Sequence, residues 1–309
     1  TPGKAVRFTS GETTTVNGTF RAVGENGSLV SLSGTTTAAW TLDNAGGTDV
    51  VQYVDVAYSD LIGANSVTAY SSNNGGNNDQ ETVTDAAQWV FSGTTYTWTG
   101  ASTTDWFTQG NWDIGDGTPG NDGTPTSSDP VIIPNTATAP VLTANATGGN
   151  DVRSIRVEIG GSLDLAGFNL TSANGITNLG TIIAQGNETY TGTINSDSGE
   201  VVYDGNGVNN ALPFGTSYFD LTVTPSTGGG SITFTDGTSV TVNGALTAGD
   251  TNGDTVTFTG GVAAPASTVR GTLASTDAGL SLGTLTLTGN ATIQTGGGTL
   301  SLGPTDGGA

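Results

Sequence analysis

The sequence predicts an all-β fold wound as a parallel β-helix (β-solenoid), and three observations carry the prediction. A phrase is written twice, as FTSGETTTVNGTF from Phe8 and as FTDGTSVTVNGAL from Phe234. Apolar residues alternate with Thr, Ser and Asn over short stretches, the period-2 signature of strands. A Gly or Asn interrupts these stretches every few positions, and no segment carries a helical period of useful length; the nearest candidate, ETVTDAAQWV from Glu81, is short and holds Thr and Asp.

Composition agrees. The 309 residues are 34% hydrophobic and only 11% charged. Disordered chains of low hydrophobicity usually carry many charges or much proline. Here the remainder is Gly, Thr, Ser and Asn, with Val, Ile and Thr throughout. β-Branched side chains suit a pleated surface, and Gly and Asn accept the backbone conformations of tight turns.

Along the chain, residues 1–93 form a first β-rich coil region. The two copies of the phrase pair Gly11 with Gly237, Val16 with Val242, Asn17 with Asn243 and Gly18 with Gly244, and continue through Val30 with Val256 and Gly34 with Gly260. Each reads strand, Asn-Gly turn, strand, Asn-Gly turn, strand. Internal repetition of this kind marks arrays and solenoids. Residues 94–150 break the style. Trp98, Trp106 and Trp112 precede an acidic Gly/Pro segment in which Pro119, Pro125, Pro130 and Pro134 oppose continuous strand pairing. This segment reads as a joint between two coil stacks. Residues 151–309 form a second coil region, with Leu163, Leu165, Leu170, Ile176 and Ile182, then Leu280, Leu282, Leu285, Leu287 and Ile293, at alternating positions. At ~22 residues per coil the chain predicts about 14 coils. Tandem antiparallel β-sandwiches are the alternative, but they want longer strands in pairs.

Stretches such as VRFTSGETTTVNGTF, VVQYVDVAYSD, WTGASTTDWFTQGNWDIG and SIRVEIGGSLDLAG resemble repeats of large secreted bacterial surface proteins, adhesin-like or matrix-like. The resemblance implies a right-handed coil and a secreted, cell-surface location. The absence of an initiator Met and of a visible signal peptide is what a mature secreted chain looks like.

Charge and composition narrow the function. A net charge of −21, with six scattered basic residues, leaves no basic face for nucleic acid or an anionic membrane. No apolar run is long enough to insert in a membrane. His and Cys are absent, so Ser–His and Cys–His catalysis and thiolate metal sites cannot be assembled. Paired carboxylates remain, as Glu158 with Asp164 or Glu188 with Asp197, and Arg153 and Arg156 are the candidate bases for a polysaccharide lyase.

Two features admit ligands. Trp98, Trp106 and Trp112 read either as a cap over an open coil end or as an aromatic platform for a sugar. Asp113, Asp116 and Asp122, and the triplet Asp250, Asn252 and Asp254, offer the hard oxygen ligands calcium prefers, although neither completes a known loop. Solvated turn acids are the plainer reading of both.

The expectation is therefore a structural protein without enzymatic activity or a required cofactor. It is a rigid subunit of an extracellular filament, fibre or matrix that joins to itself end to end or by strand exchange. GGVAAPASTV, from Gly260, and TPGKAVRF, from Thr1, are the candidate donor strands. The alternatives are an adhesin or polysaccharide-binding module using the Trp platform and, behind it, a polysaccharide lyase or glycoside hydrolase. Stacked coils also bring like charges within about 5 Å, so acids must alternate around the coil or bind cations.

Overall fold

The computed structural model describes residues 3–25, 28–78, 87–114, 123–209, 212–235 and 237–303. The chain is an all-β parallel β-solenoid of about 12 turns. Described strands pair in parallel except for Tyr96–Trp98 with Trp112–Asp113, which are antiparallel, and this sets aside the tandem sandwiches. The count falls below the predicted 14 because the stretch between Trp98 and Pro130 contributes, among its described residues, only a 3₁₀ turn, Gln109–Asn111, and the short strand Trp112–Asp113. By its internal contacts the chain divides into two compact units, Thr1–Thr95 with Ser128–Pro130, and Tyr96–Ser127 with Val131–Ala309.

In the first unit each turn contributes strands to three sheets. Ala5–Phe8, Val30–Gly34, Val54–Ala57 and Asn73–Asn74 stack in one, Thr13–Thr15, Trp40–Asp43 and Ser59–Ile62 in the second, and Thr19–Val23, Thr48–Gln52, Val67–Tyr70 and Trp89–Ser92 in the third. Inward positions repeat from turn to turn. Leu32 lies beside Val56, and Leu42 beside Leu61. These residues, with Trp40, Val51 and Val67, form the unit's core.

The extended repeat, residues 8–34 and 234–260, is about one turn of coil. Phe8 lies beside Gly34 in the first unit, and Phe234 beside Phe258 in the second. The expected Asn-Gly turns at Asn17-Gly18 and Asn243-Gly244 are corners that carry the chain from one strand of the coil to the next, and Asn26-Gly27 lies outside the described residues. Gly18 and Gly244 do not adopt positive φ. Gly244 is needed for space: a Cβ there would meet the Asp220 carboxylate, which accepts the Ala245 N–H at 2.7 Å. Other corners use one left-handed residue between two strands, Tyr53 at φ 53° and Tyr58 at φ 55°.

The second unit continues the same logic through longer columns. Leu163, Ile182, Val201, Leu221 and Leu246 succeed one another inward across five turns. Phe234 stacks on Phe258 with centroids 5.1 Å apart. Like charges are mostly separated by Thr and Ser, as the short turn-to-turn distance demands, with Glu200 directly beside Asp220 as an exception. There the Thr222 hydroxyl donates to Glu200 at 2.6 Å.

Candidate functional site

The three tryptophans are buried, with exposures of 0–1%. Trp112 packs edge-to-face on Trp98 at 5.0 Å and on Trp106 at 4.8 Å. Its Nε1 donates to the Trp106 carbonyl at 2.8 Å, and Trp98 Nε1 donates to the Thr138 carbonyl at 2.7 Å. All three belong to the second unit's core, and Trp112–Asp113 is the outermost strand of its sheet. A platform needs an exposed ring face, and none of these rings has one. The reading of Trp98, Trp106 and Trp112 as a sugar platform is therefore corrected to one of core and closure.

The carboxylates proposed for calcium have other work. Asp254 is 1% exposed. Its carboxylate accepts the N–H groups of Gly229, Asp250 and Thr251 at 2.8–2.9 Å and the Thr251 hydroxyl at 2.7 Å. The side chain thus pins its own turn to the turn before it, leaving few lone pairs for a cation. Asn252 accepts from Arg270 Nε at 3.2 Å. Asp250 is exposed at the rim. Asp113 is half-buried on its strand, whereas Asp116 and Asp122 lie outside the described residues. Among the described residues no three acidic groups converge in a metal-holding arrangement.

Burial pushes the Asp254 carboxyl up, but hydrogen bonds from Thr251 and from the backbone N–H groups outweigh it and bring the group down to about 2. Asp250 shifts upward, through its hydrogen bond and proximity to that carboxylate. A depressed carboxyl stabilises the fold fully above its ordinary value of 3.8 and loses that contribution as pH falls through about 2. Replacing Asp254 with Ala should therefore cost roughly 1–3 kcal/mol at neutral pH, the usual cost of orphaning buried donors. Chemical denaturation of the two proteins at neutral pH and near pH 2 checks this, and the two midpoints should converge at the acid end.

The paired carboxylates do not form the expected pairs. Glu158 is engaged with Arg156, Oε1 to Nε at 2.6 Å, at a half-exposed position where such a pair contributes little. Arg156 is thereby held away from the role of base. Asp197 is exposed and accepts from Asn195 Nδ2 at 2.8 Å. Glu188 is buried, and its oxygens receive the N–H groups of Gln185, Gly186 and Gly167 at 2.6–3.0 Å. Instead, Asp164, Glu188 and Asp204 come within electrostatic reach of one another. Burial, and then the charge of Glu188, raise Asp164, although the Ala166 N–H opposes them; burial and the charges of Asp164 and Glu188 raise Asp204.

The surface with unmet bonding capacity is the outer edge of the last described coil. The strand Leu280–Thr295 pairs on one side with Val262–Ser275, and on the other only its first residues, Leu280–Leu282, are covered, by Leu300–Leu302. From Gly283 to Thr295 no described strand lies beyond it. Leu285 and Leu287 continue the inward columns of Leu246 and Ala248. With no described turn above them, Leu287, Leu300 and Leu302 are 54%, 43% and 46% exposed. The stretch Leu280–Gly303 carries no charged residue. Charged side chains, proline and bulges are the usual guards of a free strand edge; the Gly283–Thr295 stretch has no charge and no proline, and its one guard is the bulge between Thr288 and Thr292, where the register with Val262–Ser275 shifts.

The first coil of the first unit also has an uncovered edge among the described strands. Ala5–Phe8 pairs only with Val30–Gly34 among the described strands, and Val6, inward beside Leu32, is 44% exposed. Lys4, Arg7 and Arg21 place half of the chain's six basic residues in this coil. Of the two candidate donor segments, GGVAAPASTV is already committed, since Val262–Ser275 pairs on both sides. Comparison with protein-family models, curated proteins and solved structures yields no match to this chain.

Proposed function

We propose that the chain is a non-catalytic structural module of an extracellular filament or matrix, and that copies join head to tail. The last described coil of one copy then receives the first described coil of the next. The uncharged stretch Gly283–Thr295, which no described strand covers, carries this reading, because its outward N–H and C=O groups and the half-exposed Leu287, with Leu300 and Leu302 beside it, match what another parallel coil supplies. Charge supports the polarity. The coil from Gly3 to Val23 holds three basic residues and one acidic residue, in a chain whose net charge is −21. Coils stacked at ~4.8 Å lie inside the ~8 Å screening length, so a locally basic coil is the favoured guest on an acidic body. The extracellular setting rests on the resemblance of the repeats to bacterial surface proteins.

Electron microscopy and sedimentation velocity over a wide concentration range test the reading together. Fibres, or a sedimentation coefficient that climbs with concentration, are the expected result. A monodisperse monomer throughout overturns it.

A further inference from the structure

Two corners of the second unit, at residues 192–196 and 212–217, lie one turn apart and enclose a groove of about 470 Å³. Among the described residues no side chain lining it is charged, in a chain with 27 acidic residues. A cation finds no partner there, and an anion is opposed by the field of the whole molecule. The ligand that fits is neutral.

The walls are mixed in character. Tyr190 is half-buried in the groove, with its ring 5.0 Å from that of Phe214 at a tilt of 43°. Ile194 adds apolar surface, and the exposed hydroxyls of Thr193, Thr216 and Ser217 stand around the rim. The frame is held in place. The Tyr190 hydroxyl donates to the Thr193 carbonyl at 3.0 Å and is 2.9 Å from the Ser172 hydroxyl. Tyr218 donates to the Gly215 carbonyl at 2.6 Å, and Asn243 Nδ2 to the Ser196 carbonyl at 2.8 Å. Both corners are thus fixed before any ligand arrives, so little ordering entropy opposes binding.

We propose that this groove binds a short stretch of neutral oligosaccharide. A sugar presents an apolar C–H face, which suits the Tyr190 ring, and a fringe of hydroxyls, which suits the Thr and Ser rim. The volume lies within the range of small-ligand clefts. Burial pushes the Tyr190 phenol up to about 12, against the Ser172 hydrogen bond, so the ring stays neutral under ordinary conditions.

Calorimetric titration of the whole chain with neutral tetrasaccharides of glucose, mannose and N-acetylglucosamine, and with tetragalacturonate, tests the proposal. At least one neutral tetramer should bind, with the anionic one weaker. Ser196→Trp fills the groove from one wall and leaves the Ser196 carbonyl in place, while Thr216→Trp fills it from the exposed opposite wall. Each should weaken binding by at least about tenfold, or ~1.4 kcal/mol, with the thermal midpoint unchanged. Tyr190→Phe, which keeps the ring, should weaken it less. The proposal is overturned if no neutral tetramer binds, if tetragalacturonate binds as tightly, or if binding survives both filled variants. Self-association is read separately and does not enter this result.

Discussion

Replacing Trp112 with Ala should lower the unfolding free energy of the second unit by roughly 3–5 kcal/mol, the range for deleting a large aromatic from a packed core. The ring is fully buried and touches three others, Trp98 at 5.0 Å, Trp106 at 4.8 Å and Tyr96 at 6.4 Å, each edge-to-face. Such pairs contribute about 0.5–1.5 kcal/mol beyond the area they bury. Removing the indole also takes away the donor to the Trp106 carbonyl in a place water does not reach. Trp112→Phe retains most of the volume and should cost less than half as much. Urea denaturation followed by near-ultraviolet circular dichroism reads both variants. The first unit has a core cluster of its own, so its transition should stay in place. A surface platform would behave in the reverse manner, losing a ligand on substitution while the fold kept its stability.

The architecture was legible because a solenoid repeats the same local problem. Each coil needs inward apolar residues at period two and a small residue where chains approach, so Val240, Val242, Leu246, Val256 and Phe258 announce themselves without reference to the rest of the fold. The corners at Tyr53 and Tyr58 did not, since a left-handed conformation is expected of Gly or Asn and carries a cost for any other residue.

The site was far less legible, for a geometric reason. Neighbours in a solenoid are about one coil apart in sequence, whereas motif reading pairs residues a few positions apart. Such reading pairs Glu158 with Asp164, whereas the structure brings Asp164, Glu188 and Asp204 within electrostatic reach of one another from successive turns. The groove beside Tyr190 is invisible for the same reason, since its two walls are separate corners with unremarkable Thr and Ser. The alternation of Asp250, Asn252 and Asp254 fits a cation loop and a turn anchor equally well. What separates them is whether backbone N–H groups converge on the carboxylate, which depends on the turn before it at Gly229.

Leu287→Lys combined with Leu302→Lys should reduce self-association by about a thousandfold. Roofing each leucine with a further coil contributes roughly 2 kcal/mol, so losing both removes ~4 kcal/mol before any cost of burying two ammonium groups is counted. Both leucines are about half exposed in the single chain, so the folded monomer should survive. Val90→Lys with Ile159→Lys makes the same change in net charge at exposed positions away from the edge, and assembly should continue in that control. Polarity is tested by Val6→Lys, which charges the inward position of the first coil and leaves the last coil intact. Head-to-tail joining requires each variant to be monomeric alone and an equal mixture of the two to stop at a dimer, because one good edge of each kind remains. If Val6→Lys alone dimerises, the last coils meet each other across a twofold axis, and a closed dimer replaces the filament. Sedimentation velocity of the two proteins and their mixture distinguishes these outcomes. The twofold alternative is disfavoured on charge, since it would bring two acidic bodies together while Lys4, Arg7 and Arg21 of both copies sit in coils that take no part in the joint.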